Sequence, residues 1–282
     1  MTRAYCPGHI TCLFSPGRTF GDMVLRGSRG IGIRLSAGTT VRLTEVPGKD
    51  VTVFLDGVES DAPVTRSVLE ELLPGRGLEA DVVNGLPIGQ GFGMSAAGAV
   101  AAALCAADIA GLSEDDAWSA AHRAEIENGG GLGDVSAIRC TSDVPERVTE
   151  GLPPHGEVRG TGLRFPVLTV AVLGPKMHTG SVLSDPVRVA ALAGSYDRAR
   201  GLFHGSRPSL FEASNAFSVA AGVESPDVSS AIERLRSGNR RAAMCMLGNS
   251  IFSDAPYLMV KDAFPDAYVH PLMSTAEAAR LL

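Results

Sequence analysis

The chain has 282 residues, 45% of them hydrophobic and 20% charged, with a net charge of −6. That balance is globular rather than disordered, and the acidic excess argues against a nucleic-acid-binding surface. No apolar run approaches the ~20 residues of a membrane span, no basic-then-apolar leader opens the chain, and the scattered cysteines form no C-x-x-C pair. The expectation is therefore a cytoplasmic protein with no membrane partner, disulfide framework or zinc site.

Residues 1–60 alternate apolar and polar positions with frequent glycine, which predicts short antiparallel strands at 23–25, 32–35, 41–43 and 51–55. Residues 62–73 have the spacing of an amphipathic helix, stopped at Pro74-Gly75. Residues 78–86 alternate again and predict a strand.

That strand runs into Pro87-Ile88-Gly89-Gln90-Gly91-Phe92-Gly93-Met94-Ser95-Ala96, and residues 96–109 then form an Ala-rich, largely buried helix. Glycines at 89, 91 and 93 permit positive φ and bring backbone N–H groups close to a ligand. The helix start adds unpaired N–H groups and a positive dipole end, which together suit nucleotide phosphates. The loop is not Walker A, because no Lys-Ser/Thr follows its last glycine, and it fits the dinucleotide fingerprint only partly. Val at Gly91 or Gly93 is expected to block the ligand and leave the fold largely intact.

A second helix starts at Ser113, a credible N-cap followed by Glu114-Asp115-Asp116, and runs through Trp118 and His122 to Glu127. The Pro-, Gly- and charge-rich stretch 140–162 suggests a boundary between lobes 1–160 and 161–282. Beyond it the pattern predicts a strand at 166–173, helices at 184–201, 209–221 and 227–237, a strand at 267–272 and a terminal helix from Thr275.

Three segments resemble the GHMP small-molecule kinases. Cys6-Pro7-Gly8-His9-Ile10-Thr11 looks like the family's first motif. The glycine loop matches its P-x-x-x-G-L-G-S-S-A-A, with Phe92 for Leu and Met94 for the first Ser. Ala124-Glu125-Ile126-Glu127-Asn128-Gly129-Gly130-Gly131-Leu132-Gly133-Asp134 resembles the acidic helix and loop that end in the family's catalytic aspartate. The wording is most like the archaeal pantoate kinase branch. The resemblance implies an α+β fold in two lobes, the N-terminal one like ribosomal protein S5 domain 2 and the C-terminal one ferredoxin-like. It also implies ATP and Mg²⁺ as cofactors and a small hydroxy-acid substrate, and it is compatible with a homodimer.

Phosphoryl transfer needs charge neutralisation on the phosphates and a group to orient or deprotonate the acceptor. Ser95 and Glu125 are the candidate Mg²⁺ ligands, and Asp134 the candidate base. The family's pattern assigns these positions the same roles. Glu127 is the rival to Glu125, and Asp134 has an alternative role as a helix N-cap. The loop residues Pro87, Gly89, Gln90, Gly91, Phe92, Gly93, Met94, Ser95 and Ala96 are the candidate nucleotide contacts.

For the substrate, His9 lies in the first motif and His122 stands three positions before Glu125 on one helical face. Arg147, with Arg139 behind it, is the candidate cation for a carboxylate. The family's C-terminal glycine motif is reduced to Met246-Leu247-Gly248-Asn249-Ser250, and residues 176–180 are another candidate cleft wall. Two alternatives stand beside a pantoate kinase: a family kinase for shikimate, mevalonate or homoserine, and a non-kinase relative.

Overall fold

The computed structural model describes residues 1–17, 21–177 and 179–282. Its first half contains β1 (Thr2–Pro16), β2 (Ser28–Val46), β3 (Val51–Leu55), β4 (Val58–Glu59), α1 (Pro63–Leu72), β5 (Gly77–Asn84), α2 (Met94–Ala110), α3 (Glu114–Glu127), α4 (Asp134–Arg139), β6 (Pro145–Arg147) and β7 (Val158–Gly160). The second half contains β8 (Leu168–Val172), α5 (Thr179–Leu183), α6 (Pro186–Gly201), α7 (Arg207–Ala221), α8 (Pro226–Ser237), β9 (Ala242–Met244), β10 (Ser250–Ser253), α9 (Tyr257–Ala263), β11 (Tyr268–Leu272) and β12 (Arg280–Leu281).

One sheet runs β12-β1-β2-β5-β3-β4, with β6 and β7 continuing from β2, and the other runs β11-β8-β10-β9. The β3–β5 pairing is parallel and the rest are antiparallel. The class is α+β, as expected. No helix among the described residues is long and apolar enough to cross a membrane.

Helix α2 is buried around its circumference because its alanines let β1, β2, α1 and α3 approach from several sides. Ser113 and Asp116 form a reciprocal capping box at the start of α3. A single apolar cluster joins Ile10, Leu13 and Phe14 of β1 to Phe211 and Phe217 of α7 and Phe252 of β10.

Three local expectations are corrected. The short strands before residue 47 are two long ones, because glycines such as Gly32 mark close approaches of β1 onto β2 instead of turns. Residues 23–25 form a 3₁₀ turn, with the Val24 N–H donating to the Asp22 carboxylate. The expected terminal helix is extended: Ala4 and Tyr5 pair with Leu281 and Arg280. Buried Arg34 draws the carbonyls of Thr275 and Glu277 onto its guanidinium, which overrides helix propensity.

Candidate active site

The glycine loop delivers the start of α2 to a cavity lined by Gly89, Gly91, Gly93 and Ser95 on one wall, with Glu125 and Asp134 on another. Gly89, Gly91 and Gly93 have φ of 74°, 74° and 66°. Two of them are required by the packing of the protein itself. A Cβ on Gly91 would lie 2.6 Å from the Cys245 carbonyl oxygen, and one on Gly93 would lie 2.7 Å from that of His9. The expectation that Val at either position spares the fold is therefore overturned. Phe92 is in the core, Met94 and Ala96 are buried at the cavity edge, and Ser95 is exposed. A second cavity shares Gly89, Met94 and Ser95 and extends to Lys176 and Met177.

The acids converge from different elements. Glu125, on α3, is 1% exposed, and its Oε2 accepts the Val135 N–H at 3.5 Å. Burial first, and then the facing Asp134, push its carboxyl up to about 8. Asp134 opens α4 but does not cap it; Gly133 occupies the cap position. Its Oδ1 instead lies 2.7 Å from His9 Nδ1 and accepts the Thr11 hydroxyl at 3.3 Å. Burial works to raise the Asp134 carboxyl, but hydrogen bonds from His9 and Thr11 and the charge of Arg147 outweigh it and hold it below the ordinary range. Asp134 thus stays ionised beside an acid that burial keeps protonated.

Arg147 reaches the same cavity from β6, 1% exposed, with its Nε donating to the Ser28 carbonyl and one terminal nitrogen without a partner. Such an orphaned, buried guanidinium suits an incoming carboxylate.

Other candidates are placed elsewhere. Pro87 lies outside the cavity lining. Gln90 is buried and also outside it, its side-chain amide N–H donating to the Gly174 carbonyl and its main-chain carbonyl accepting the Ser250 hydroxyl. His122 lines neither cavity; its Nε2 meets the Arg26 carbonyl at 3.0 Å. His9 is sealed behind Asp134 instead of facing a substrate. Arg139 pairs with Asp115 near Trp118, and Glu127 is exposed outside the lining. Lys176 and Met177 line the second cavity, while His178 lies outside the described residues.

Met246 and Leu247 of the reduced C-terminal motif line the first cavity, together with Thr11 and Ser28, which the sequence reading did not single out as site residues. Thr11 had a legible signal, since it follows His9 by two positions on one strand face. The reduced C-terminal motif still closes on the loop: Gly248 packs against the Gln90 backbone so tightly that a Cβ would lie 2.2 Å from its carbonyl carbon.

Mg²⁺ fits this donor set. The Glu125 carboxylate and the Ser95 hydroxyl are hard oxygens facing one cavity, and a cation would let the buried acid ionise. Among the described residues no group of three or more His, Cys, Asp or Glu side chains is set to hold a metal. The site suits an ion that takes its remaining oxygens from phosphate and water.

The stretch from α1 to the end of α4, carrying the loop and both acids, matches the family model of the GHMP kinases N terminal domain over residues 62–141. The chain belongs to the GHMP kinase family. Within it, the sequence is 30% identical over 257 residues to a pantoate kinase of Methanospirillum hungatei, covering 89% of this chain and 86% of that one. It is 33% identical over 197 residues to a pantoate kinase of Thermococcus kodakarensis, covering 66% and 64%. A solved phosphotransferase related to the coenzyme A biosynthesis pathway superposes with a TM-score of 0.87 at 26% identity, over 100% of this chain and 98% of that one. A mevalonate kinase, at 11% identity and a TM-score of 0.66 over 98% and 99% of the two chains, shares the fold.

Proposed function

We propose that the protein is an ATP-dependent pantoate kinase, transferring the γ-phosphoryl group to the primary hydroxyl of pantoate to give 4-phosphopantoate for coenzyme A biosynthesis. The observation that carries this reading is the cavity in which an ionised carboxylate, Asp134, and a buried, incompletely paired cation, Arg147, stand beside the glycine loop. Such a pair suits an acceptor that is both an alcohol and an acid. The two relatives named pantoate kinase favour pantoate over other hydroxy acids.

In this mechanism the N–H groups of the loop and of the α2 start bind the phosphates. Glu125 and Ser95 would hold Mg²⁺, which supplies charge neutralisation on the phosphates. Arg147 binds the pantoate carboxylate through its unpartnered terminal nitrogen and thereby fixes where the hydroxyl at the other end lies. Asp134 accepts the proton of that hydroxyl as the oxygen attacks. Phe14, Met246 and Leu247 give the lining an apolar portion suited to the substrate's two methyl groups.

ADP release measured with pantoate, homoserine, shikimate and mevalonate tests the reading, and pantoate is expected to give the highest kcat/KM. Asp134→Asn is expected to lower kcat by about 10²–10⁴ with ATP affinity nearly unchanged. Preference for another acceptor removes pantoate; full activity of Asp134→Asn removes the base.

A further inference from the structure

We infer that His9 is a positioning residue that ties the phosphate loop to the base, its main chain fixing the loop while its Nδ1–H aims the Asp134 carboxylate. The inference rests on the assignment of Asp134 as base. The His9 backbone N–H donates to the Phe92 carbonyl at 3.0 Å, and Gly93 packs directly on the His9 main chain. The same residue's imidazole lies 2.7 Å from Asp134 Oδ1. One residue therefore spans the distance between the group that holds the donor phosphates and the group that receives the acceptor proton.

Two features of the fold lock it there. The register of β1 against β2 shifts between Pro7 and His9, a bulge that re-aims the side chain at α4. Behind the ring, Nε2 is buried with no hydrogen-bond partner, and a Cβ on Gly32 would lie 2.1 Å from it. With Nε2 sealed from water and from any acceptor, the ring has no exit for a proton. His9 is thus a fixed donor and not a proton relay. Burial lowers its pKa against the raising pull of Asp134, consistent with a neutral ring protonated on Nδ1. With Oδ1 taken by His9 and Thr11, Oδ2 remains to accept the substrate proton.

The test compares His9→Ala, His9→Asn and Asp134→Asn, alone and with His9→Ala combined with Asp134→Asn. Asn places its amide nitrogen where Nδ1 stands and keeps the donor. His9→Ala is expected to lower kcat about 10²-fold with KM for ATP unchanged, because the backbone contacts to the loop persist. His9→Asn should recover most of that loss, and the double variant should be no slower than Asp134→Asn alone. His9→Asn as slow as His9→Ala, or losses that multiply in the double variant, would overturn the inference. If His9→Ala does not fold, His9→Asn decides alone: near-wild-type kcat supports the inference, and loss of activity or of folding overturns it. An active Asp134→Asn refutes the base assignment itself, whereas an inactive Asp134→Asn beside a fully active His9→Ala refutes only the role of His9.

Discussion

Glu125 and Glu127 differ by two positions and by everything that matters to an ion: one is buried in the cavity, the other is exposed outside it. With its pKa near 8 against an ordinary 4.5, the folded protein holds a proton on Glu125 that the unfolded chain has released. Between those two values the native state binds more protons, so this group makes metal-free stability fall as pH rises through that window. The melting temperature of the metal-free protein should accordingly decline from pH 5 to 8, and Glu125→Gln should remove that part of the slope. Binding of MgATP at pH 7 should release a proton, read as a dependence of calorimetric heat on buffer ionisation enthalpy. Glu125→Gln should abolish the release and lower turnover by about two orders of magnitude, while Glu127→Gln does neither. A more damaging Glu127→Gln would reverse the assignment.

At the scale of elements, the glycine loop, the proposed phosphate cradle, is also a packing joint. Gly93 combines a positive φ with contact to the His9 main chain, so Gly93→Ala is expected to cost about 1–3 kcal/mol of stability as well as nucleotide affinity. Gly89 differs, because the nearest atoms a Cβ there would meet belong to the side chain of Lys176, at 3.1 Å and beyond. Gly89→Ala should therefore lose less stability, about 1 kcal/mol, for a comparable loss of nucleotide binding. Urea unfolding beside calorimetric titration separates the two effects. Equal destabilisation by both variants would show that backbone contact is not what distinguishes them.

Over the whole molecule, the last residues return to the first strand. Arg34 is fully buried, and its guanidinium donates to the carbonyls of Thr275 and Glu277, while β12 pairs with β1. Truncation after Ser274 would leave a buried cation without those acceptors and expose an edge of the larger sheet. The expected loss is about 3–5 kcal/mol in urea unfolding. A truncated protein of unchanged stability would mean that the tail contributes no net energy. The strand that the tail covers, β1, also holds His9 and Thr11.

What the sequence determined by itself was local: the strand, glycine loop and helix over residues 77–110, the capped start of α3, and the order of Ser95, Glu125 and Asp134 along the chain. Turn glycines, caps and helical periodicity act over a few residues and leave their mark in spacing. Tertiary structure alone decided that His9 meets Asp134 across 125 residues, that His122 turns to Arg26, and that Arg147 is buried in the cavity. It also decided that the chain end is a strand and that Gly32 makes room for an imidazole. These depend on register, bulges and the approach of distant backbones, and contacts of that kind are set by the packing of the whole sheet rather than by the residues beside them.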